Sequence, residues 1–176
     1  MAVRRYASAR EKYRPDRIRV LFIAESPPSS HGYFYFRKTI GKDHLFRETM
    51  KALDLWPLTL RMSKGLDKRH YLQEFQRMGF FLIDTCNLPV DKLSREERKL
   101  QIARGASSLE TRVKRLSPEA IVVVKKTVFR PALVALQAAG LSDKILNDDP
   151  IPFPSHGNQS RYRTVLRRLI NKIEDS

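Results

Sequence analysis

Residues 18–36 read IRVLFIAESPPSSHGYFYF. The run from Ile18 to Ala24 is apolar and rich in β-branched and aromatic side chains, the signature of a strand buried on both faces. It stops at a lone acid, Glu25. A polar loop kinked by Pro27 and Pro28 follows, and then four rings in succession, Tyr33, Phe34, Tyr35 and Phe36. Two more runs have the same character: FFLID at 80–84 and AIVVV at 120–124. Helical periodicity fills the intervals. Residues 43–55 place Leu45, Phe46, Thr49, Met50 and Leu53 on one face, with Asp43 as the expected cap. A second helix is expected over 67–78, stopped by Gly79. SREE at 94–97 is a capping box opening a long basic helix to about residue 116. A helix over 128–139, with Pro131 near its start, ends at Gly140, and a basic helix closes the chain from about 159 to 173. Strands alternating with helices predict a parallel sheet between helical layers. In such folds, sites lie outside the carboxyl ends of the strands. That selects the loop after Ala24, the loop after Ile83 and the loop around Pro154.

The bulk composition narrows the function classes. The 176 residues fit a single domain, expected as a loose basic arm over 1–17 and an α/β domain over 18–176. No apolar stretch approaches the ~20 residues that span a bilayer. The N-terminal stretch lacks the apolar core of a signal peptide, so the expected location is the cytoplasm, on the nucleoid through DNA. One cysteine, Cys86, leaves no disulfide framework, iron–sulfur set or cysteine zinc site, and the four histidines show no paired ligand spacing. The expectation is a monomer without cofactor or metal. Lysine and arginine number 34 against 19 acids, a net charge of +15, which points to a polyanionic partner and foremost to nucleic acid. No glycine-rich phosphate loop or dinucleotide fingerprint follows the first strand.

The three loops together resemble the uracil-DNA glycosylase superfamily. There the first motif follows strand one, in patterns such as GQDPY, GINPG and GEAPG. Here Ala24-Glu25-Ser26-Pro27-Pro28 matches the GEAPG version in its acid and proline, with both glycines replaced. The family loop next reaches an aromatic that stacks on the extruded base, which the GYFYF block resembles. Its second strand commonly ends in an asparagine that reads the base edge, as in LLLNT; residues 82–85 resemble that pattern with Asp84 in the asparagine's place. Its last motif, HPSP or similar, precedes the final helix. Here it is Phe153-Pro154-Ser155-His156, with phenylalanine in the leading position and a histidine three residues later. The resemblance implies a three-layer α/β/α fold around a central four-stranded parallel sheet, and excision of a damaged or modified base from single- or double-stranded DNA.

Breaking an N-glycosidic bond builds positive charge on the sugar and negative charge on the base. A carboxylate beside the sugar and a hydrogen-bond donor beside the base stabilise the two. Glu25 is the first candidate for the former and His156 for the latter, with His31 a further candidate. His44 and His70 are expected to be surface groups. The displaced base needs a ring to stack on. Counting from Gly32, the resemblance favours Tyr35, with Phe34 or Phe36 one residue away. Asp84 and Asn87 are the candidates for reading the base edge. An ionised aspartate only accepts hydrogen bonds and suits a base with an exocyclic amino group, unless Asn87 does the reading. Ser26, Ser155, Asn158, Arg161 and Lys125 are the candidate phosphate contacts. Two other readings share these residues: a non-catalytic nucleic-acid binder on the same scaffold, and a hydrolase of free nucleosides or nucleotides.

Overall fold

The computed structural model describes residues 2–29 and 32–174; His31 lies outside the described residues. Among these, seven helices and three strands run in the order α1 (Ala2–Glu11), β1 (Val20–Ala24), α2 (His44–Ala52), α3 (Arg69–Arg77), β2 (Phe80–Asp84), α4 (Arg95–Ser107), α5 (Leu109–Leu116), β3 (Ala120–Val123), α6 (Lys126–Ala138) and α7 (Gln159–Glu174). The strands form one parallel sheet in the order β2-β1-β3, with Val20 opposite both Phe80 and Ala120. The chain leaves β1 in one direction and β2 in the other. Right-handed crossovers therefore place α2–α3 and α4–α5 on opposite faces. Both faces are covered, which is why every strand residue is buried. Tyr162 of α7 and Thr49 of α2 share a hydrogen bond of 2.8 Å inside the first helical layer.

Among the described residues the sheet has three strands, without the expected fourth. Residues 145–151 run beside β3 but touch it through two isolated parallel bridges, Ile121 with Ile145 and Val124 with Ile151. Between them the Asn147 side chain takes the place of a strand's backbone. Its Oδ1 accepts from the Val123 amide at 2.9 Å, and its Nδ2 donates to the Val123 carbonyl at 3.1 Å. The opposite edge is closed in a similar way. The Tyr35 hydroxyl accepts from the Leu82 amide at 2.7 Å and donates to the Leu82 carbonyl at 3.2 Å. One side chain at each edge satisfies backbone groups that would otherwise form a sticky edge.

Three further expectations change. The basic arm contains the helix α1, whose Tyr6 hydroxyl donates to the Pro28 carbonyl at 2.9 Å and whose Tyr6 ring stacks on Phe36 at 5.6 Å. The long basic helix is broken at Ser108, where the Ser107 and Ser108 hydroxyls bond back to the Arg104 and Gly105 carbonyls. Its capping box is formed as expected, with Ser94 and Glu97 bonding each other's backbone. Asp43 precedes α2 but makes no side-chain cap; its carboxylate goes to Lys68 and to the Ile40 amide.

Candidate functional site

A cavity of about 280 Å³ opens at the carboxyl ends of β1 and β2. Its floor is Ala24, Glu25, Asp84, Val124 and Lys125, and rings of Tyr33, Phe34, Phe46 and Phe153 stand around it. The first loop is pinned over it by Asp91, whose carboxylate accepts from the Ser29 amide at 3.1 Å and hydroxyl at 2.7 Å. Ser26 lines the same space.

Glu25 is 4 % exposed. Its Oε1 accepts from Arg98 and from Lys125, the latter at 2.8 Å, and its Oε2 accepts from the Thr127 hydroxyl in the first turn of α6. Burial alone would raise its pKa. The bonds from Lys125, Thr127 and Arg98 outweigh burial and hold the carboxyl below its ordinary range. Glu25 is therefore an anion at neutral pH, with three of about four lone-pair sites taken. Lys125 meets it from a strained backbone. Its φ of 84° and ψ of 129° lie where a side chain is unfavourable, at a cost of about 1–3 kcal/mol. The Lys125 amide bonds the Ile151 carbonyl at 2.9 Å, and the ammonium lies 5.2 Å from the centre of the Phe153 ring. Phe153 thus packs under a cation at the cavity wall.

Asp84 is 3 % exposed and set apart from the other buried acids. Glu25, Asp43 and Glu48 each have a lysine or arginine within ion-pair distance. Asp84 has the Tyr33 hydroxyl, which donates to Oδ2 at 3.2 Å. Arg112 lies nearby but spends its guanidinium on the Asp84 and Thr85 carbonyls, both at 2.8 Å. Burial pushes the Asp84 carboxyl up to about 7, against the pull of Arg10, the Tyr33 hydroxyl and Arg112. Near neutral pH a large share of it is protonated, and a protonated carboxyl both donates and accepts.

The rings divide differently from the sequence expectation. Tyr33 and Phe34 line the cavity. Tyr35 is buried against β2, with its hydroxyl committed to Leu82, and stands outside the cavity. Asn87 is exposed beyond it, because the ladder continues past β2 through Thr85 to Ala24 and Cys86 to Glu25 and carries the chain away. His156 is exposed in a left-handed turn with φ of 50°, its Nδ1 2.9 Å from the Ser155 hydroxyl, and does not line the cavity. Ser155, Asn158 and the exposed Arg161 form the surface turn and first turn of α7 around it. Arg163 and Arg167 are drawn to Glu48 and Asp54 instead of facing outward as a basic stripe.

Two features escape sequence reasoning. His44, expected at the surface, lines the cavity. Its Nδ1 lies 3.2 Å from Arg47 Nη2. A guanidinium only donates, so Nδ1 is the acceptor and the proton of the neutral ring sits on Nε2. Burial and the neighbouring Arg47 hold the His44 pKa below its usual value, which keeps that form at neutral pH. The second is Lys68, fully buried, which donates to Asp43 at 2.9 Å and to the Tyr33 carbonyl at 2.8 Å and lies 4.6 Å from the centre of the Phe46 ring. This ion pair holds the aromatic loop against α2. The only sequence signal for either is the Asp43-His44 pair opening a helix directly after that loop.

No helix among the described residues is long and apolar enough to cross a membrane, and none of their acids, histidines and cysteines form a metal-binding group. No protein-family model matches the chain, and no curated protein matches it.

Proposed function

We propose that the protein binds DNA, takes an extruded base into the cavity and hydrolyses its N-glycosidic bond, in the manner of the uracil-DNA glycosylases it resembles. The observation that carries the reading is a ring-walled cavity at the strand ends holding two buried carboxyls driven in opposite directions, Glu25 toward the anion and Asp84 toward the acid. At about 280 Å³ it falls at the small end of ligand pockets, which run roughly 300–1,000 Å³, and suits a single heterocycle better than a whole nucleotide. Tyr33 and Phe34 supply the stacking surface. Glu25, fixed as an anion, stabilises the positive charge that develops on the sugar. Asp84 and the His44 Nε2–H are donors for the negative charge that develops on the base. The net charge of +15 supplies affinity for a polymer, which a free nucleoside does not need.

The fully engaged Glu25 favours a second reading, in which the same cavity captures a base without cleaving it. Base release decides between them. Single- and double-stranded oligonucleotides carrying uracil, hypoxanthine, xanthine, hydroxymethyluracil or alkylated bases are incubated with the protein and then cleaved with alkali. Release of one base, lost in Glu25→Gln protein that still melts cooperatively, is the expected result. Tight, salt-sensitive binding without release from any of them would establish the binder. Asp84→Asn is expected to change which bases are released. Identical substrate ranges would remove Asp84 from base reading.

A further inference from the structure

The four consecutive rings form a wall with two sides. Tyr33 and Phe34 face the cavity, while Tyr35 and Phe36 line a separate groove of about 590 Å³ between α1 and the loop that leads into α3. That groove is basic: Arg5 and Lys12 stand on one bank, and Arg37 and Arg69 on the other. Against them stands Asp67, shared by Arg37 at 3.0 Å and Arg69 at 2.9 Å, so a surplus of positive charge remains. The groove also carries ring surface. Phe36 is half-buried under the Arg5 guanidinium, 4.5 Å from its centroid, and Tyr13 is half-buried and stacks on Tyr35 at 6.0 Å. Tyr6 fixes α1 to the wall through Pro28, Phe36 and Tyr33, so the bank of the groove is a positioned surface.

We propose that this groove is a binding track for single-stranded nucleic acid, with phosphates along Arg5, Lys12, Arg37 and Arg69 and a base against Tyr13. Cations that track a backbone, interleaved with rings, are the features single strands need, because unpaired bases expose faces to stack. Duplexes hide those faces. The proposal rests on the nucleic-acid reading above and adds the form of the strand and its path, on the far side of the aromatic wall from the cavity.

The test is fluorescence anisotropy of a labelled single-stranded oligonucleotide, and of the same sequence as duplex, over a range of salt. The protein is compared with an Arg5→Ala/Lys12→Ala variant and with an Arg95→Ala/Lys99→Ala control, which removes equal charge from the exposed start of α4. All three are checked for the same thermal melt. The groove variant is expected to bind the single strand at least about tenfold more weakly and to lower the salt slope by about 1.4, from about 0.7 for each of two lost phosphate contacts. The control is expected to stay within about twofold of the parent, since long-range charge alone is largely screened. Equal losses in both variants, a preference for duplex, or displacement of the oligonucleotide by polyglutamate as readily as by unlabelled single strand would each overturn the track. A parent protein that binds no oligonucleotide would overturn the nucleic-acid reading with it, whereas unchanged binding by the groove variant would overturn the track alone.

Discussion

Replacing Asp84 by asparagine should make the protein more stable at alkaline pH. Asp84 is 3 % exposed, and the Tyr33 hydroxyl at 3.2 Å is a neutral partner. Burial therefore dominates and lifts the carboxyl from 3.8 to about 7. The folded protein holds this proton where the unfolded chain has released it. Between about pH 4 and 7 the folded state binds more protons, so stability falls as pH rises through that window and is level above it. At about 1.4 kcal/mol for each tenfold, the rise is worth about 4 kcal/mol. Asparagine keeps the shape, still accepts from the Tyr33 hydroxyl and does not ionise. Its amide hydrogens cost about 1–3 kcal/mol where they find no acceptor. The variant is expected to gain roughly 1–3 kcal/mol over the parent at about pH 8 and to be less stable than the parent at about pH 4, where the ionisation penalty on the parent has barely begun. Urea denaturation of both proteins across this range measures the difference directly. If the two lose stability in parallel from about pH 5 to pH 8, Asp84 ionises without a penalty and the account of the cavity floor is wrong.

Glu25→Gln removes the counter-charge of Lys125 and Arg98 and is expected to cost roughly 3–5 kcal/mol, read by denaturation near neutral pH; a loss under about 1 kcal/mol would mean the cluster does not hold the site together. The same residue has a depressed pKa, so its contribution is present above the unfolded value of 4.5 and disappears as pH falls through the folded one. The parent should therefore show a steeper acid limb than the glutamine variant. Tyr35→Phe leaves the Leu82 amide and carbonyl without their hydroxyl partner and should cost about 1–3 kcal/mol, with faster hydrogen exchange at Leu82; unchanged exchange would show that the edge needs no cover. Gly105→Ala places a Cβ 2.5 Å from the Thr85 carbonyl oxygen, backbone against backbone, and should lower stability by about 1–3 kcal/mol; a thermal melt identical to the parent's would contradict the close approach of α4 to the loop after β2.

The strands were legible because burial on both faces writes them as unbroken apolar runs, and 20–24, 80–84 and 120–123 fall inside the runs read from sequence. The resemblance implied a fourth strand without placing it; residues 145–151, beside β3, carry Asn147, Asp148, Asp149 and Pro150, and the Asn147 side chain takes pairing that a strand's backbone would make. Helix α1 was illegible for a different reason. Its few buried groups, Tyr6 and Ala9, make sense only against the aromatic block, which lies elsewhere in the chain. The rule that sites lie at strand carboxyl ends located Glu25, Ser26, Asp84 and Lys125 in one cavity together with Phe34. The rule pointed to Asn87 and His156 as well, and the resemblance to Tyr35, and none of the three lines the cavity. Which of several consecutive rings faces a cavity depends on the turn they make, and the turn here is set by the Lys68 ammonium bonded to the Tyr33 carbonyl.

Asp84 stands where the pattern that the sequence resembles has an asparagine, and Phe153 where it has a histidine. Taken singly, the two residues would leave the cavity with a buried acid outside any ion pair and an apolar ring at its wall. The fold supplies something in both places. Tyr33 turns its hydroxyl to Asp84, and burial lifts that acid to about 7, so near neutral pH a large share of it both donates and accepts, as an amide does. His44 lines the cavity from the start of α2, and its contact with Arg47 leaves the proton of the neutral ring on Nε2. Phe153 packs under Lys125, and Lys125 with Arg98 and Thr127 holds Glu25 ionised. The cavity thus has groups with donor capacity, Asp84 and His44, beside the fixed negative charge of Glu25. Apolar groups are often as stabilising as buried charges or more so, and the presence of two buried carboxyls at the cavity supports the proposal that it takes a ligand.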